Sequence, residues 1–450
     1  MQAFNRNVRG EITVFLSLIF ILLLSLVSAL IESASIRITR NHRRADLSLA
    51  MESVFAEYHT KLLEEYHIFA VNAAYEKGCF SVENMLERLT YYGAASLENK
   101  ATAFSLLTDD AGKEFYRLAV QYEADITGLG EVLKKEDVTF VEEAKKQNEQ
   151  YEKETAQIIE EINEKLSEAG ETLPEEGNPI SFLSDWKRQG ALSLLISDPS
   201  ILSDKKIDPS VLPSHRENRR GIGEVKSPGM VDEAFGKALF GSYVNRHFSC
   251  FTEQKEDRKM LYEREYLLFG NSEEKANLEQ ALSKMIFLRF AGNYAYLLTD
   301  TAKKAEAEAM AAGLCTLLTV PEITSLIKHA ILLAWAYGES IVDVRLLAKG
   351  EKVEALKTAD SWRLSLSGLS NLGNDVSVGE GAKKGLSYED YLQFFLLLEK
   401  EETLSMRALD LVEQELELAM DGCVTGMNVT SVCKLRRGLS YEFETTFSYE

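Results

Sequence analysis

The longest uncharged, largely apolar run in the chain lies near its start, where Ile12 to Ile31 gives 20 residues between Glu11 and Glu32. As a helix rising 1.5 Å per residue it measures about 30 Å, the hydrocarbon thickness of a bilayer. A removable export signal has a shorter apolar core of about 7 to 15 residues. The run therefore predicts a retained transmembrane helix over 12–31, with membrane lipid as its partner, behind a tail of residues 1–11. Leu47, Ala50, Val54, Tyr58, Leu62, Tyr66 and Phe69 then recur at spacings of three and four, one face of an amphipathic helix. Neither proline nor glycine occurs from Glu11 to Lys77. The pattern thus predicts a spine helix over 32–77 that continues the span, about 100 Å in all.

After that the pattern changes several times. Residues 78–173 read as a helical arm: from Glu131 to Gly170 Glu and Lys dominate, and Val138, Phe140, Val141, Tyr151, Ile158, Ile159, Ile162 and Leu166 are the sparse apolar positions, as in long exposed helices. Six of the seven prolines fall between Pro174 and Pro228, marking 174–231 as a connecting region with short helices such as Ile180 to Ile196. Helical periodicity returns in a core domain over 232–420. Tyr262, Tyr266, Leu267, Leu268, Leu282, Ile286 and Phe290 predict paired helices broken at Phe269-Gly270-Asn271. Lys303 to Cys315 is alanine-rich, and Ile323 to Leu347, behind Pro321, is the most apolar helix of the body. Lys328 and His329 interrupt it, leaving eight uncharged residues to Tyr337, too few to cross a bilayer. It predicts a central core helix.

Ser365 to Gly385 carries five glycines and reads as irregular and partly β, and Tyr388 to Leu398 with Thr403 to Met420 form another helical pair. Residues 421–450 alternate instead. Met427, Val429, Cys433 and Leu435 share one face, Leu439, Tyr441, Phe443, Thr445, Phe447 and Tyr449 share another, and Arg436-Arg437-Gly438 supplies the turn of a β-hairpin. The fold class is mainly α: a long N-terminal transmembrane and amphipathic helix, an α-helical body and a small C-terminal β-hairpin, α+β overall.

Charge changes this picture by being segregated. The net charge is −21, yet six arginines against two glutamates give residues 1–44 a net +4 and leave −25 for the remainder. An acidic body repels nucleic acid and anionic lipid headgroups alike, which argues against either as a partner through bulk electrostatics. Arg6 and Arg9 precede the span, and Arg37, Arg40, Arg43 and Arg44 follow it. Counted literally, the positive-inside rule puts the body in the cytoplasm. The short tail, however, has the shape of a signal-anchor n-region, and arginines along a helix could meet phosphates on the outer leaflet. Both orientations stay open on charge alone. Five scattered cysteines without a C-x-x-C spacing point to neither a metal site nor a disulfide framework.

Candidate chemistry is sparse. Gly379 to Gly385 suggests a phosphate loop, but Lys384 sits where its second glycine is required, so a flexible turn is the reading. Ser325 and Lys328 form an S-x-x-K without its accompanying elements. His59 and His67 lie eight apart without a third ligand on their face. Asn428-Val429-Thr430 has the spelling of a glycosylation site. Glu339 and Asp343 lie four apart on one helix face, close enough to share a proton or a cation, with Arg345 or Lys357 as their candidate neutralisers. No catalytic residue, metal ligand or cofactor site is assigned.

The segments RGEITVFLSLIFILLLSLVSALIESA, YHTKLLEEYHIFAVN, YEREYLLFGN, AILLAWAYGESIVDVRLLAKGEKVEALKT with Trp362 following, and LSYEDYLQFFLLL before MRALDLVE together resemble one bacterial family of unknown function. Its members have a single N-terminal span, and their genes often lie near those for tight-adherence (Tad, Flp) pilus machinery. The long spine has the general shape of type IV pilins, and the N-terminal block is similar to the anchors of TadE-type pseudopilins. Arg9-Gly10-Glu11 resembles a prepilin peptidase site, with cleavage between Gly10 and Glu11. It departs from that pattern in having Phe15 at the fifth position after the glycine, where pilins carry Glu. The resemblance implies a cytoplasmic N-terminus, an extracytoplasmic body and a non-enzymatic, structural or assembly role beside pilin-like partners. A membrane-anchored receptor or sensor with an extracellular ligand is the alternative.

Overall fold

A computed structural model describes residues 7–127, 135–172, 178–226, 233–372, 381–435 and 438–449. The chain divides into two compact units, one of Met1–Asp109, Arg219–Gly229 and Ala419–Glu450, the other of Asp110–Asn218 and Met230–Leu418.

The first unit is built on helix α1 (Asn7–Phe55). Its apolar run is wholly exposed, while Leu47, Ala50, Met51, Val54 and Phe55 are buried. Among the described residues it is the one helix long and apolar enough to cross a membrane. The helix stops at Phe55 and does not run to Lys77. Tyr449 Oη donates to the Phe55 carbonyl, the Phe55 ring stacks on Phe447 at 4.3 Å between centroids, and Tyr449 stacks on Phe69 at 5.4 Å. The aromatic positions that continue the helical stripe instead fold back onto the last strand, because burying several rings outweighs a few more turns of helix. A short helix α2 (Thr60–Tyr66) follows, with His59 Nδ1 accepting from the Leu62 amide at its start and His67 left-handed (φ 55°) at its end. Helix α3 (Val82–Tyr91), capped by Ser81, packs against α1.

Strands β1 (Val71–Asn72), β2 (Glu98–Leu106), β3 (Cys423–Lys434) and β4 (Ser440–Ser448) form one antiparallel sheet. Strand β3 is central. Strand β2 lies on one side, and β1 and β4 both pair directly with β3 on the other, β1 at Cys423 and Val424 and β4 from Gly426 to Lys434. The predicted C-terminal hairpin is present, with Lys434 opposite Ser440 and Gly426 opposite Ser448; Arg436 and Arg437 of its turn lie outside the described residues. Strand β2 falls within the stretch read as a helical arm. Its alternation is weak and broken by register shifts after Ala101 and Ser105, so it becomes a strand through pairing with β3, some 320 residues away in sequence. Gly221 lies beside β2: a Cβ there would sit 2.3 Å from the Phe104 carbonyl oxygen, and the next residue, Ile222, exchanges both backbone bonds with Phe104.

The second unit is helical: α4 (Asp109–Thr127), α5 (Lys135–Ala169), α6 (Pro179–Gln189), α7 (Ala191–Leu195), α8 (Glu233–His247), α9 (Glu263–Phe269), α10 (Glu274–Thr299), α11 (Thr301–Leu317), α12 (Thr324–Ala348), α13 (Tyr388–Leu398) and α14 (Glu401–Leu416). Helix α12 is its centre. Of its 25 residues 18 are buried, and α5, α6, α7, α10 and α11 pack around it, which makes it a core helix. Helix α5 does not stand free as an exposed arm. Ile162 and Leu166 are buried, Tyr151 meets Tyr294 edge to face at 5.0 Å, and the helix lies against α10, α12 and α13. Its sparse apolar positions suffice because the core helices supply the rest of the contact. The irregular segment after Ser365 opens with a 3-10 turn over Leu366–Asn371, and residues 373–380, including the start of the glycine-rich Gly379 to Gly385, lie outside the described residues.

Candidate functional site

Helices α10 and α12 each carry a polar pair spaced four apart on an otherwise apolar face, Arg289 with Asn293 and Glu339 with Asp343. All four are buried. Packing the two helices together brings the pairs into one cluster. Arg289 Nε donates to Asp343 Oδ2 at 3.0 Å, and Asn293 Nδ2 donates to the same oxygen at 3.1 Å and to Ser340 Oγ at 2.9 Å. Lys357 Nζ donates to Asp343 Oδ1 at 2.7 Å and to Glu339 Oε1. Arg345, the other candidate neutraliser, points elsewhere and donates to the carbonyls of Leu194 and Leu372.

Two cations and two carboxylates leave the cluster with no net charge, the arrangement under which buried ions are tolerated. Burial and the Asp343 charge push the Glu339 carboxyl up, against the pull of Lys357. Burial acts on Asp343 in the same sense, but Arg289 and Lys357 outweigh it and hold that carboxyl down. Glu339 also accepts the amides of Arg363 and Leu364 at 3.0 and 2.7 Å, and Arg289 donates to the carbonyls of Glu354 and Ala355 at 2.9 and 3.1 Å. The cluster thereby ties the irregular segment 354–364 to the core. Trp335 and Trp362 complete the tie, both donating to the Leu364 carbonyl.

Beside this cluster is a cavity of about 390 Å³. Arg289, Lys357, Tyr296 and Tyr391 supply its polar wall, and Leu288, Gly292, Ala295 and Phe394 much of the rest. A Cβ on Gly292 would meet nothing within 4 Å. The volume lies at the small end of the range for ligand pockets.

A second buried charged group lies on α9. Glu263, Arg264 and Glu265 are consecutive and all buried. Glu263 accepts the Ser249 amide at 2.7 Å, and Glu265 accepts the Phe251 amide at 2.9 Å and Tyr388 Oη at 2.7 Å. Arg264 donates to the Phe248 and Asn245 carbonyls. Glu274, at the start of α10, accepts the amides of Leu261 and Tyr262. These side chains take the place of the ladder partners that the loop 248–262 lacks. Burial raises the Glu265 carboxyl to about 7 despite its hydrogen bonds. It likewise pushes the Cys250 thiol up to about 12.

The other sequence candidates fall in separate places. Gly10 and Glu11 lie within α1, ahead of the exposed apolar run. His59 and His67 cap the two ends of α2. Lys328 pairs with Glu308 at 2.8 Å, and Asn428 Nδ2 donates to the Glu224 carbonyl. Of the five cysteines Cys79 is exposed and four are buried. Among the described residues no group of three His, Cys, Asp or Glu is arranged to hold a metal. Sequence reasoning missed Arg289, Asn293 and Tyr391 at the cluster and the carboxylates of α9. The available signal was the polar pair inside the apolar stretch MIFLRFAGNYAY, since buried charges occur almost only with partners.

No curated protein and no solved structure is detectably similar to the chain. A family model does match, over residues 169–435, a stretch that includes α9, the α10–α12 cluster and strand β3. That match spans more than half the chain, which therefore belongs to a family of unknown function, DUF5702.

Proposed function

We propose that the chain is a non-enzymatic protein anchored by a single span, with its N-terminus in the cytoplasm and its body outside. In this reading it is an accessory or pseudopilin-like component of a tight-adherence type pilus or secretion system. The observation that carries the reading is α1 itself, which exposes a bilayer-length apolar run and buries its last turns in the core of the first unit. Such a helix suits lateral packing against like helices in the membrane. The similarity of the N-terminal block to pseudopilin anchors points the same way. The clustered carboxylates favour a structural role, since Glu263, Glu265, Glu339 and Asp343 accept backbone amides or bind cations of their own fold. In a piliated strain carrying this gene, crosslinking followed by purification of the protein is expected to recover pilin-like subunits. Their absence while pili are intact would overturn the assembly role.

A second reading, an anchored receptor, is favoured by the cavity beside Arg289 and Lys357. A compound from a metabolite screen would raise the melting temperature of the full-length protein saturably. Gly292→Leu, which fills the cavity, would abolish that rise; a rise that survives the substitution would place binding elsewhere.

A further inference from the structure

Two contacts fix how β4 runs beside α1. Arg40 lies over the Tyr441 ring at 5.1 Å, and Phe55 stacks on Phe447 at 4.3 Å. From residue 40 to 55 the helix climbs about 22 Å, and from 441 to 447 the strand climbs about 20 Å. The two rises match, so β4 runs alongside α1 in the same direction, and the beginning of β4 is its end nearer the apolar run. Extending the strand back, Leu439 and Gly438 fall about 7 and 10 Å below Tyr441. That is the level of α1 residues 33 to 36, within about 8 Å of the end of the apolar run at Ile31, where a bilayer's headgroup layer lies.

The chemistry at that level suits a phospholipid surface. Leu439 is 43% exposed, beside the exposed Gly438 and the half-buried Leu435. Arg37 and Arg40 are exposed on the turns of α1 just above, about 9 and 14 Å beyond Ile31, and neither has a carboxylate partner among the described residues. Arg43, by contrast, lies 3.4 Å from Asp46. Lys434 is paired with Glu98. Glu442 alternates with Tyr441 along β4 and so projects from the opposite face of the sheet.

We infer that the β3–β4 end of the sheet is a second membrane contact, seated in the headgroup layer through Leu435, Gly438 and Leu439, with Arg37 and Arg40 reaching down to the phosphates of anionic phospholipids. This rests on the reading of α1 as a span. The span alone would leave the first unit free to tilt and swivel; the second contact fixes its orientation on the bilayer.

The test uses the full-length protein in phosphatidylglycerol–phosphatidylcholine vesicles. Cys79→Ser removes the exposed thiol, and a fluorophore is placed on Leu439→Cys, on Leu22→Cys in the span, or on Tyr91→Cys on α3. Nitroxide on the acyl chain should quench the Leu22 position. Nitroxide on the headgroup should quench the Leu439 position severalfold more than the Tyr91 position. Adding Arg37→Gln and Arg40→Gln should cost most of the Leu439 quenching and leave that at Leu22 unchanged. Quenching at Leu22 with Leu439 no closer to the headgroups than Tyr91 would overturn the second contact while the span stands. No quenching at Leu22 would remove the span and this inference with it. Quenching at Leu439 that is indifferent to the two arginines would overturn the phosphate role.

Discussion

Asp343 accepts from Arg289, Asn293 and Lys357, so its neutralisation has a calculable sign. Asp343→Asn leaves two buried cations facing Glu339 alone, and removing one partner of a buried ion group costs about 3–5 kcal/mol. Denaturant titration of the full-length protein in detergent should show that loss. Arg289→Met combined with Asp343→Leu leaves Lys357 paired with Glu339 and should recover much of it. Glu265 gives a pH dependence. Its carboxyl titrates near 7 when folded against about 4.5 otherwise, so the folded state holds the extra proton. The stability this group contributes is therefore complete below about pH 4.5 and is lost as pH rises through 7. Between pH 5 and pH 8 the protein should lose about 2–3 kcal/mol relative to Glu265→Gln. Parallel pH profiles of the two proteins would contradict a carboxyl whose burial outweighs its hydrogen bonds.

Among the elements, those with a strong signal of their own were legible: the long apolar helix, the paired helices around Gly270, the core helix α12 and the strands β3 and β4. What was not legible depended on distant partners. Strand β2 is a strand because β3 pairs with it, and α5 is covered because α10 and α12 face it. Helix α1 stops at Phe55, where the ring contacts with Phe447 and Tyr449 are joined by a hydrogen bond from Tyr449 Oη to that residue's carbonyl. Tyr449→Phe keeps the ring stacking but leaves the carbonyl without that donor, at a cost of about 1–3 kcal/mol. Hydrogen exchange should rise locally over the last turn of α1, whereas unchanged protection would mean that ring burial alone ends the helix. At the cluster, Glu339, Asp343 and Lys357 could be read from sequence because they lie within 18 residues of one another. Arg289 and Tyr391 could not, since only the packing of α10, α12 and α13 brings them there.

Taken as a whole molecule, the protein combines a charge-segregated sequence with an N-terminal helix that both exposes a run long and apolar enough to cross a membrane and completes a folded core. Family membership covers residues 169–435 and therefore the helical body, while the claim about location rests on α1. Native Cys79 offers the most direct test, because it is exposed and the other four cysteines are buried. Protoplasts expressing the full-length protein would be treated with a membrane-impermeant maleimide before or after lysis, with Cys79→Ser as the control. Labelling of intact protoplasts that disappears in Cys79→Ser is the result expected for a body held outside by a single span. Labelling only after lysis would put the body in the cytoplasm and contradict the account.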